Sequence, residues 1–390
     1  MQFIHLLPIY WAVSGLFIIN SGDKTLVALI ITSIIVKLLS CVFDENERFD
    51  LKINYMIGLV FICAIYASFS YYHNGYSSSE IRVLISVALY SMVSIPKMIN
   101  YKKLSMIFIF SSLYIVSQTT YILIIQEQGR MQLPLNPLPY SNYCGLLSII
   151  SLYLSYKTEK STRALYISSF VFLFITVIIT DSRGTWLAIL LAILTTITLL
   201  FLKKKCLRTS IISIVLLIFT SLLSYPLVKD RIENTIQEVE FLSYGNLGSS
   251  WGIRIQLWMV GYDIISKSPS LVGLGQTEHL KIIQDMYNEG KVQRSLAQFD
   301  NKNFHNSIID RTVKYGLIGL LLYLGAIITP FYYGLVNFKS QESLLLITMP
   351  VFIFTAGLSY VPLSHPGTYF LYLITSILLI NKIKLDRTHT

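Results

Sequence analysis

STRALYISSFVFLFITVIIT (residues 161–180), DSRG (181–184) and TWLAILLAILTTITLLFLKKKCLR (185–208) form the stretch that decides the fold. Two runs without a charged residue, 164–180 and 185–202, flank the short polar turn. Each run has about the length that a helix needs to cross a bilayer. Apolar residues cover every face of both runs, as in helices that contact lipid or other helices on all sides. The stretch therefore predicts two transmembrane helices joined by a turn.

The rest of the chain repeats this pattern. Of its 390 residues, 54% are apolar and only 13% are charged, whereas soluble domains carry about 25% charged residues. The pattern predicts an all-α polytopic membrane protein with about 12 transmembrane helices. The predicted spans are 3–20, 24–43, 53–72, 81–97, 104–125, 141–156, 164–180, 185–202, 209–228, 315–336, 343–361 and 367–383.

One connection is much longer than the others. Residues 229–304 form a polar loop of 76 residues between the ninth and tenth spans, and an amphipathic stretch in it predicts that the loop contains helices. The chain is thus divided into transmembrane helices 1–9 (residues 1–228), the loop (229–304), and helices 10–12 with a tail (305–390). Because the remaining connections are short, we interpret these parts as a single integrated membrane domain.

The lysines and arginines of the short loops predict the orientation. Sixteen lie in the tail and in the loops after even-numbered spans, against four in the short loops of the opposite side. Positive charge accumulates in cytoplasmic loops, so we expect both termini in the cytoplasm. The long loop and the turn at 180–184 then face the periplasm, if this is the inner membrane of a Gram-negative bacterium. Because topology explains most of the net charge of +10, no nucleic-acid partner is expected.

Several function classes are disfavoured by what the sequence lacks. The four cysteines, Cys41, Cys63, Cys144 and Cys206, lie in or beside predicted spans without a metal-ligand spacing, so neither a metal nor a disulfide framework is expected. Phosphate-binding, dinucleotide-binding and hydrolase motifs of soluble enzymes are missing, and we expect no cofactor. No pair of carboxylates lies within the predicted spans, which argues against an ion-coupled transporter.

The turn Thr180–Trp186 is the first candidate for chemistry. Ser182 is placed to cap the following helix, whose first N–H groups favour an anion. Arg183 adds a planar donor fork that suits phosphate. The alternative is an arginine that only extends to the lipid headgroups, as is common at the ends of spans.

The second candidate lies in the long loop, in Trp251-Gly252-Ile253-Arg254-Ile255-Gln256-Leu257-Trp258. Ile253, Leu257 and Val260 would form one apolar stripe of a helix that ends near Ser268, with the tryptophans at an interface. Arg254 lies near the start of this helix, where an anion is favoured. An ordinary solvated arginine on a helix along the membrane surface is the alternative.

The third candidate is His305, at the junction between the loop and the tenth span. Imidazole is the side chain best matched to moving a proton near neutral pH, although a histidine at such a boundary is often simply polar. Asn306 beside it could orient a hydroxyl group or the imidazole. Further candidates are Arg82, whose alternative is an ion pair with Glu80, and His365 in the last outer turn.

Together these segments resemble the O-antigen ligase family, a membrane superfamily that also contains O-antigen polymerases and protein O-oligosaccharyltransferases. The resemblance rests on Asp181-Ser182-Arg183-Gly184-Thr185-Trp186, on Gly252-Ile253-Arg254, on Phe304-His305-Asn306-Ser307 and on Tyr315-Gly316-Leu317-Ile318-Gly319. These motifs cover about 165–325, and the His-Asn followed by Tyr-Gly-Leu-Ile-Gly is the most specific part.

The resemblance implies a type-C membrane glycosyltransferase that needs neither metal nor nucleotide. The donor would be O-antigen on undecaprenyl pyrophosphate, and the acceptor a sugar hydroxyl of the lipid A–core oligosaccharide. The residues that match the family's motifs would be Arg183 and Arg254 on the pyrophosphate, and His305 assisting the acceptor hydroxyl. The anomeric carbon would be inverted in a direct displacement.

Two other functions stay open at this point. An O-antigen polymerase would use the same donor but extend a second undecaprenyl-linked glycan. Polymerases usually carry two comparable outer loops with a repeated Arg-x(10)-Gly pattern, whereas here one loop is long and Ile265 stands eleven positions after Arg254. A non-catalytic transporter of lipid-linked glycan would need charges reachable from both sides of the membrane, whereas Arg183, Arg254 and His305 are all predicted at one side.

Overall fold

The structure is a computed structural model that describes residues 2–18, 21–43, 53–96, 99–203, 232–299 and 303–388, with the single positions 211, 218 and 229. These residues form helices, turns and connections, and none of them lies in a strand. The helices are α1 (Gln2–Ile18), α2 (Gly22–Phe43), α3 (Tyr55–His73), α4 (Ser78–Val93), α5 (Tyr101–Thr120), α6 (Pro137–Lys157), α7 (Lys160–Ile179), α8 (Arg183–Leu202), α9 (232–243), α10 (Ser250–Lys267), α11 (Glu278–Asn288), α12 (Arg294–Ala297), α13 (Ser307–Val336), α14 (Ser343–Gly357) and α15 (Pro366–Thr388).

The all-helical architecture confirms the predicted class. Eleven of the twelve predicted spans coincide with a helix, and the ninth, 209–228, lies outside the described residues except for positions 211 and 218. Seven helices of the described part are long and apolar enough to cross a membrane. They correspond to α2, α3, α5, α7, α8, α13 and α15. Shorter apolar helices run over Phe3–Leu16 and Ser343–Gly357. The protein is thus a multi-pass membrane protein, and the count of twelve stays a prediction.

Helix α6 forms the centre of the bundle. It packs against α7, α8, α14 and α15, and its residues from Pro139 to Ser155 are buried. Close packing there depends on a small residue, because a Cβ at Gly145 would lie 2.8 Å from the ring of Phe352. Two polar side chains of α6 donate to backbone carbonyls: Ser151 to that of Tyr166 on α7 at 2.7 Å, and the Asn142 amide to that of Leu138 at 2.8 Å.

Helix α13 begins earlier than the sequence predicts. The tenth span was expected from residue 315, but the helix starts at Ser307, because the Asn306 side chain caps it by accepting from two backbone N–H groups. The chain then leaves helical geometry at Gly316, whose φ is 65° and ψ is −168°. This break is filled by residues 270–275, since Leu317 N–H donates to the carbonyl of Ser270 at 3.1 Å and Leu274 N–H to that of Val313 at 2.9 Å.

The long loop is helical, as predicted, and contains α9 to α12. Helices α10, α11 and α12 enclose a second apolar core with the start of α13. Its buried residues include Leu257 and Val260 from the predicted stripe, and Ile253 packs against them. Trp258 also packs on this core and donates to the carbonyl of Phe304 at 3.1 Å. The stripe of α10 therefore faces protein.

Candidate functional site

His305 lies in the connection that leads into α13. Its backbone takes a left-handed conformation, with φ 51°, just before the capping residue Asn306. The ring packs between Phe299 and Tyr360, with centroid distances of 5.9 and 5.8 Å. Its Nδ1 is buried and has no hydrogen-bond partner among the described residues. The imidazole therefore presents a nitrogen without a fixed partner.

Burial and a neighbouring positive charge keep this imidazole neutral. Desolvation is the main cause that lowers the pKa of His305 to about 4, and the charge of Arg254 lowers it further. The carboxylate of Asp310 opposes this effect. At neutral pH the ring is therefore unprotonated, so it is able to accept a proton but is not a cationic ligand for phosphate.

Helix α10 brings Arg254 to His305. Arg254 lies in the first turns of α10, as predicted, and its guanidinium lies over the ring of Trp251 at 5.7 Å. Gly261 allows the close approach of α10 to the connection before α13, because a Cβ there would lie 2.3 Å from Cγ2 of Ile309 and 3.2 Å from the ring of Phe304. This glycine thus lets α10, which carries Arg254, pack closely on the segment that carries His305.

The turn before α8 is connected to the same region by the contact between Gly184 and Ser359. Asp181 has a positive φ of 58°, and Gly184 packs so closely on Ser359 that a Cβ would clash with its hydroxyl. The next residue, Tyr360, is the one whose ring packs against His305. Its carbonyl also accepts from Ser307 at 3.1 Å. The pair Ser359-Tyr360 therefore contacts both the arginine turn and the histidine segment.

Arg183 already holds an anion in this structure. Its guanidinium donates to the Glu238 carboxylate at 2.8 Å and to the Thr235 hydroxyl at 2.7 Å, both on α9. The arginine and glutamate side chains are mostly buried, at 19% and 14% exposure. The second oxygen of Glu238 has no hydrogen-bond partner among the described residues. The guanidinium of Arg183 thus binds a carboxylate that has one oxygen without a hydrogen-bond partner among the described residues.

The expected capping by Ser182 is wrong. The serine stands at the N-terminal cap of α8, but its side chain caps no backbone N–H, since its hydroxyl pairs with that of Thr185 at 3.0 Å. Arg130, from the connection before α6, instead joins the turn by donating to the carbonyl of Asp181 at 3.1 Å. A side chain from the connection before α6 therefore anchors the turn at Asp181, two residues before Arg183.

The secondary candidates lie in different places. Asn306 is beside His305, but its side-chain oxygen is used as the cap of α13. Arg82 pairs with Asp23 at 3.4 Å, so the alternative of a pair with Glu80 is wrong. His365 is half-buried in the turn before α15, and desolvation lowers its pKa to about 4. Among the described residues, no hydrogen bond, ion pair or ring contact joins Arg82 or His365 to His305.

Two buried ion pairs near His305 were not found from the sequence. Asp310 pairs with Lys314 at 2.9 Å and accepts from the N–H of Phe304 at 3.0 Å, and so ties the histidine segment to α13. The next residue along the chain, Arg311, pairs with Glu80 of α4 at 2.6 Å. All four side chains are at most 4% exposed. The spacing of four residues between Asp310 and Lys314 was the available signal.

The ligand-binding groups of this region are mainly the guanidiniums of Arg183 and Arg254 and the imidazole of His305. Among the described residues, no three His, Cys, Asp or Glu side chains come together in a way that could hold a metal ion. Arg254 and His305 are neighbours, and the Arg183 turn is joined to them through Ser359-Tyr360. Such a site suits an anion next to a group that accepts a proton.

Comparison with known proteins agrees with the resemblance. Residues 168–324 match the family model described as O-antigen ligase, which confirms the resemblance to that family. The matched region contains all three primary candidates, Arg183, Arg254 and His305. A relative described as an uncharacterized protein, from Haemophilus influenzae (strain ATCC 51907 / DSM 11121 / KW20 / Rd), is 22% identical over 201 residues. This alignment covers 50% of the present chain and spans about half of the relative, 49% of its length.

Proposed function

We propose that this protein is an O-antigen ligase. It transfers O-antigen polysaccharide from undecaprenyl pyrophosphate to a sugar hydroxyl of lipid A–core, the last step in joining the two parts of lipopolysaccharide. The observation that carries the proposal is the placement of Arg254 beside a neutral His305 within the region that matches the family, 168–324. The coarser conclusion, a membrane glycosyltransferase of the ligase or polymerase type, rests on that match alone.

In this proposal the arginines bind the leaving group. The bond between the anomeric carbon and the pyrophosphate oxygen breaks while the acceptor oxygen forms a new bond to that carbon, which inverts it. Negative charge grows on the pyrophosphate as the bond breaks, and the guanidiniums of Arg183 and Arg254 stabilise it. A planar fork binds two phosphate oxygens at once, so arginine suits this role better than lysine. The reaction then needs no metal and no cofactor.

His305 accepts the proton of the acceptor hydroxyl. The lowered pKa supports a neutral base and disfavours an imidazolium that binds phosphate. A base with a pKa near 4 is weak, but the donor changes its surroundings. An anion bound at Arg254 offsets the positive charge that adds to desolvation in lowering the pKa, so the pKa of His305 is higher with the donor in place than without it. Donor binding thus makes His305 a stronger base.

Glu238 competes with the donor for Arg183. Its carboxylate holds the guanidinium at 2.8 Å, where a phosphate oxygen would bind. The donor therefore displaces Glu238, and α9 moves away from the turn when the site fills. The second oxygen of Glu238 has no partner among the described residues, so the exchange breaks few contacts.

The proposal includes the location of the site. The charge bias of the loops supports cytoplasmic termini and a site at the periplasmic face of the inner membrane. Both substrates are lipids that expose their glycans at that face. Membrane lipids surround the bundle, and no nucleic acid takes part.

Deletion of the gene separates ligase from polymerase. Loss of capped core together with accumulated long undecaprenyl-linked polymer supports a ligase, and a core that carries one repeat unit indicates a polymerase. If neither glycan form changes, the protein is not on this route. Wild-type protein supplied in trans should restore the capped core, whereas His305→Ala at the same expression level should not.

A further inference from the structure

A large cavity lies at the end of the bundle opposite His305. Helix α6 fixes the direction: Asn142 accepts from Thr185 of the arginine turn at 3.3 Å, and Lys157 lies at the other end of the helix. The cavity, of about 570 Å³, lies around that other end, between α1, α5, α6 and α15. It shares no residue with the candidate site, so the inference below does not depend on the proposed function.

The cavity is deep and apolar. Val13, Phe108, Ile150 and Ile374 are among the side chains that line it. On α15 its lining runs from Leu371 to Leu385, a length of about 21 Å at 1.5 Å per residue. Folded interiors leave few voids larger than a water molecule, and the volume lies in the range of small-molecule sites. An elongated apolar void of this size fits a hydrocarbon chain.

Positive charge gathers where the cavity opens. Lys157, Lys382 and Lys384 line it, and the described lining contains no carboxylate. Lys157 pairs with Glu342 at 2.6 Å, mostly buried. Lys382 pairs with Asp386 of its own helix, and both are about half exposed, at 49% and 52%.

Two of these lysines are open to a further anion. Exposed pairs such as Lys382 with Asp386 are weak. The ammonium of Lys384 lies 5.5 Å from the centre of the Tyr55 ring, so an aromatic face is its described partner. Basic pockets between transmembrane helices commonly bind anionic lipid headgroups.

We propose that this cavity binds an anionic glycerophospholipid. The headgroup phosphate lies at Lys382 and Lys384, and one acyl chain extends between α1, α5, α6 and α15 toward Ile374. The lipid fills a void that the bundle leaves in its own packing, and so holds α15 against α1 and α6. Its chemistry differs from that of the donor, which carries a branched polyprenyl chain.

Lipid binding by the purified, delipidated full-length protein tests this directly. Native mass spectrometry with added phosphatidylglycerol should show one lipid bound more tightly than the rest, and phosphatidylcholine should bind this position more weakly. Lys382→Gln with Lys384→Gln should weaken binding of that lipid about 25-fold, since each lysine near an anionic headgroup contributes about fivefold. The matched control, Lys160→Gln with Lys339→Gln, removes two exposed charges at the same end outside the cavity lining and should leave binding within twofold.

A second variant tests the acyl-chain part. Ala12 is buried and lines the cavity, so Ala12→Leu places new side-chain volume in the chain's path and should also weaken the lipid. Equal binding of phosphatidylglycerol and phosphatidylcholine, or unchanged binding by the double lysine variant, would overturn the proposal. Tighter retention of undecaprenyl phosphate than of phosphatidylglycerol would overturn it as well, because the occupant would then be a polyprenyl lipid.

Discussion

Gly316 is the first glycine of the family motif Tyr315-Gly316-Leu317-Ile318-Gly319. Replacing it by alanine tests why the motif has a glycine at this position. The residue has φ 65° and ψ −168°, a region that is almost restricted to glycine. A Cβ there would lie 2.3 Å from the carbonyl oxygen of Leu271 and 2.5 Å from the nitrogen of Val272. Both are backbone atoms, so no side chain is able to rotate away. The crossing segment 270–275 must move.

The cost follows from the contacts that are lost. Backbone strain at such a position amounts to about 1–3 kcal/mol. Moving the crossing segment breaks the hydrogen bonds from Leu317 N–H to Ser270 and from Ile318 N–H to Leu271, both 3.1 Å. Each contributes about 0.5–1.5 kcal/mol, so Gly316→Ala should lower stability by roughly 2–6 kcal/mol. The segment follows α10, so Arg254 should shift and transfer should fall too.

The matched control is Gly325→Ala in the same helix. A Cβ there would meet the Leu59 side chain at 3.5 Å, an ordinary contact, and alanine favours the helix by about 1 kcal/mol. We expect thermal unfolding in detergent, followed by loss of the monodisperse peak, to show Gly316→Ala clearly destabilised and Gly325→Ala unchanged or stabilised. A Gly316→Ala protein as stable as the wild type would refute the reasoning about the kink.

Three further predictions concern the site. Arg254→Ala should abolish transfer and Arg254→Lys should restore little, because an ammonium lacks the planar fork; full activity of Arg254→Ala at normal expression would remove it from the site. Glu238→Gln should lower the donor KM about fivefold, since a partly screened pair is worth about 1 kcal/mol, and a raised KM would contradict the competition with Arg183. The kcat/KM of transfer should show no loss from His305 protonation between pH 8 and 5 and should fall as pH approaches 4, whereas a cationic phosphate ligand predicts a rise on acidification.

The sequence predicted the helices well for a physical reason. A chain in lipid must satisfy its backbone groups within each span, so uncharged runs of sufficient length become helices whatever their neighbours. The apolar stripe of the long loop placed Arg254 near the start of a helix, as α10 shows. The helical turns from Ser307 to the break at Gly316 were not predicted, because Asp310, Arg311 and Lys314 each count as costly when considered alone. In the fold these charges are buried in pairs.

Partners of the site residues could not be predicted. Glu238 lies 55 residues after Arg183, and Tyr360 follows His305 by a similar distance, so neither pairing has a local sequence signal. Ser182 illustrates the opposite error, because a plausible local cap was replaced by a hydroxyl pair with Thr185. Long-range packing decides which of several acceptable local contacts is made.

The measurement that tests the central claim most directly compares donor binding with transfer in purified His305→Ala protein, reconstituted with undecaprenyl-linked O-antigen and lipid A–core. The account predicts that the donor binds as it does to the wild type, through Arg183 and Arg254, while the transfer rate falls about 10²–10⁴-fold, the usual contribution of a general base. Loss of donor binding would move His305 among the phosphate ligands, and transfer at the wild-type rate would remove it from the chemistry; either result contradicts the account.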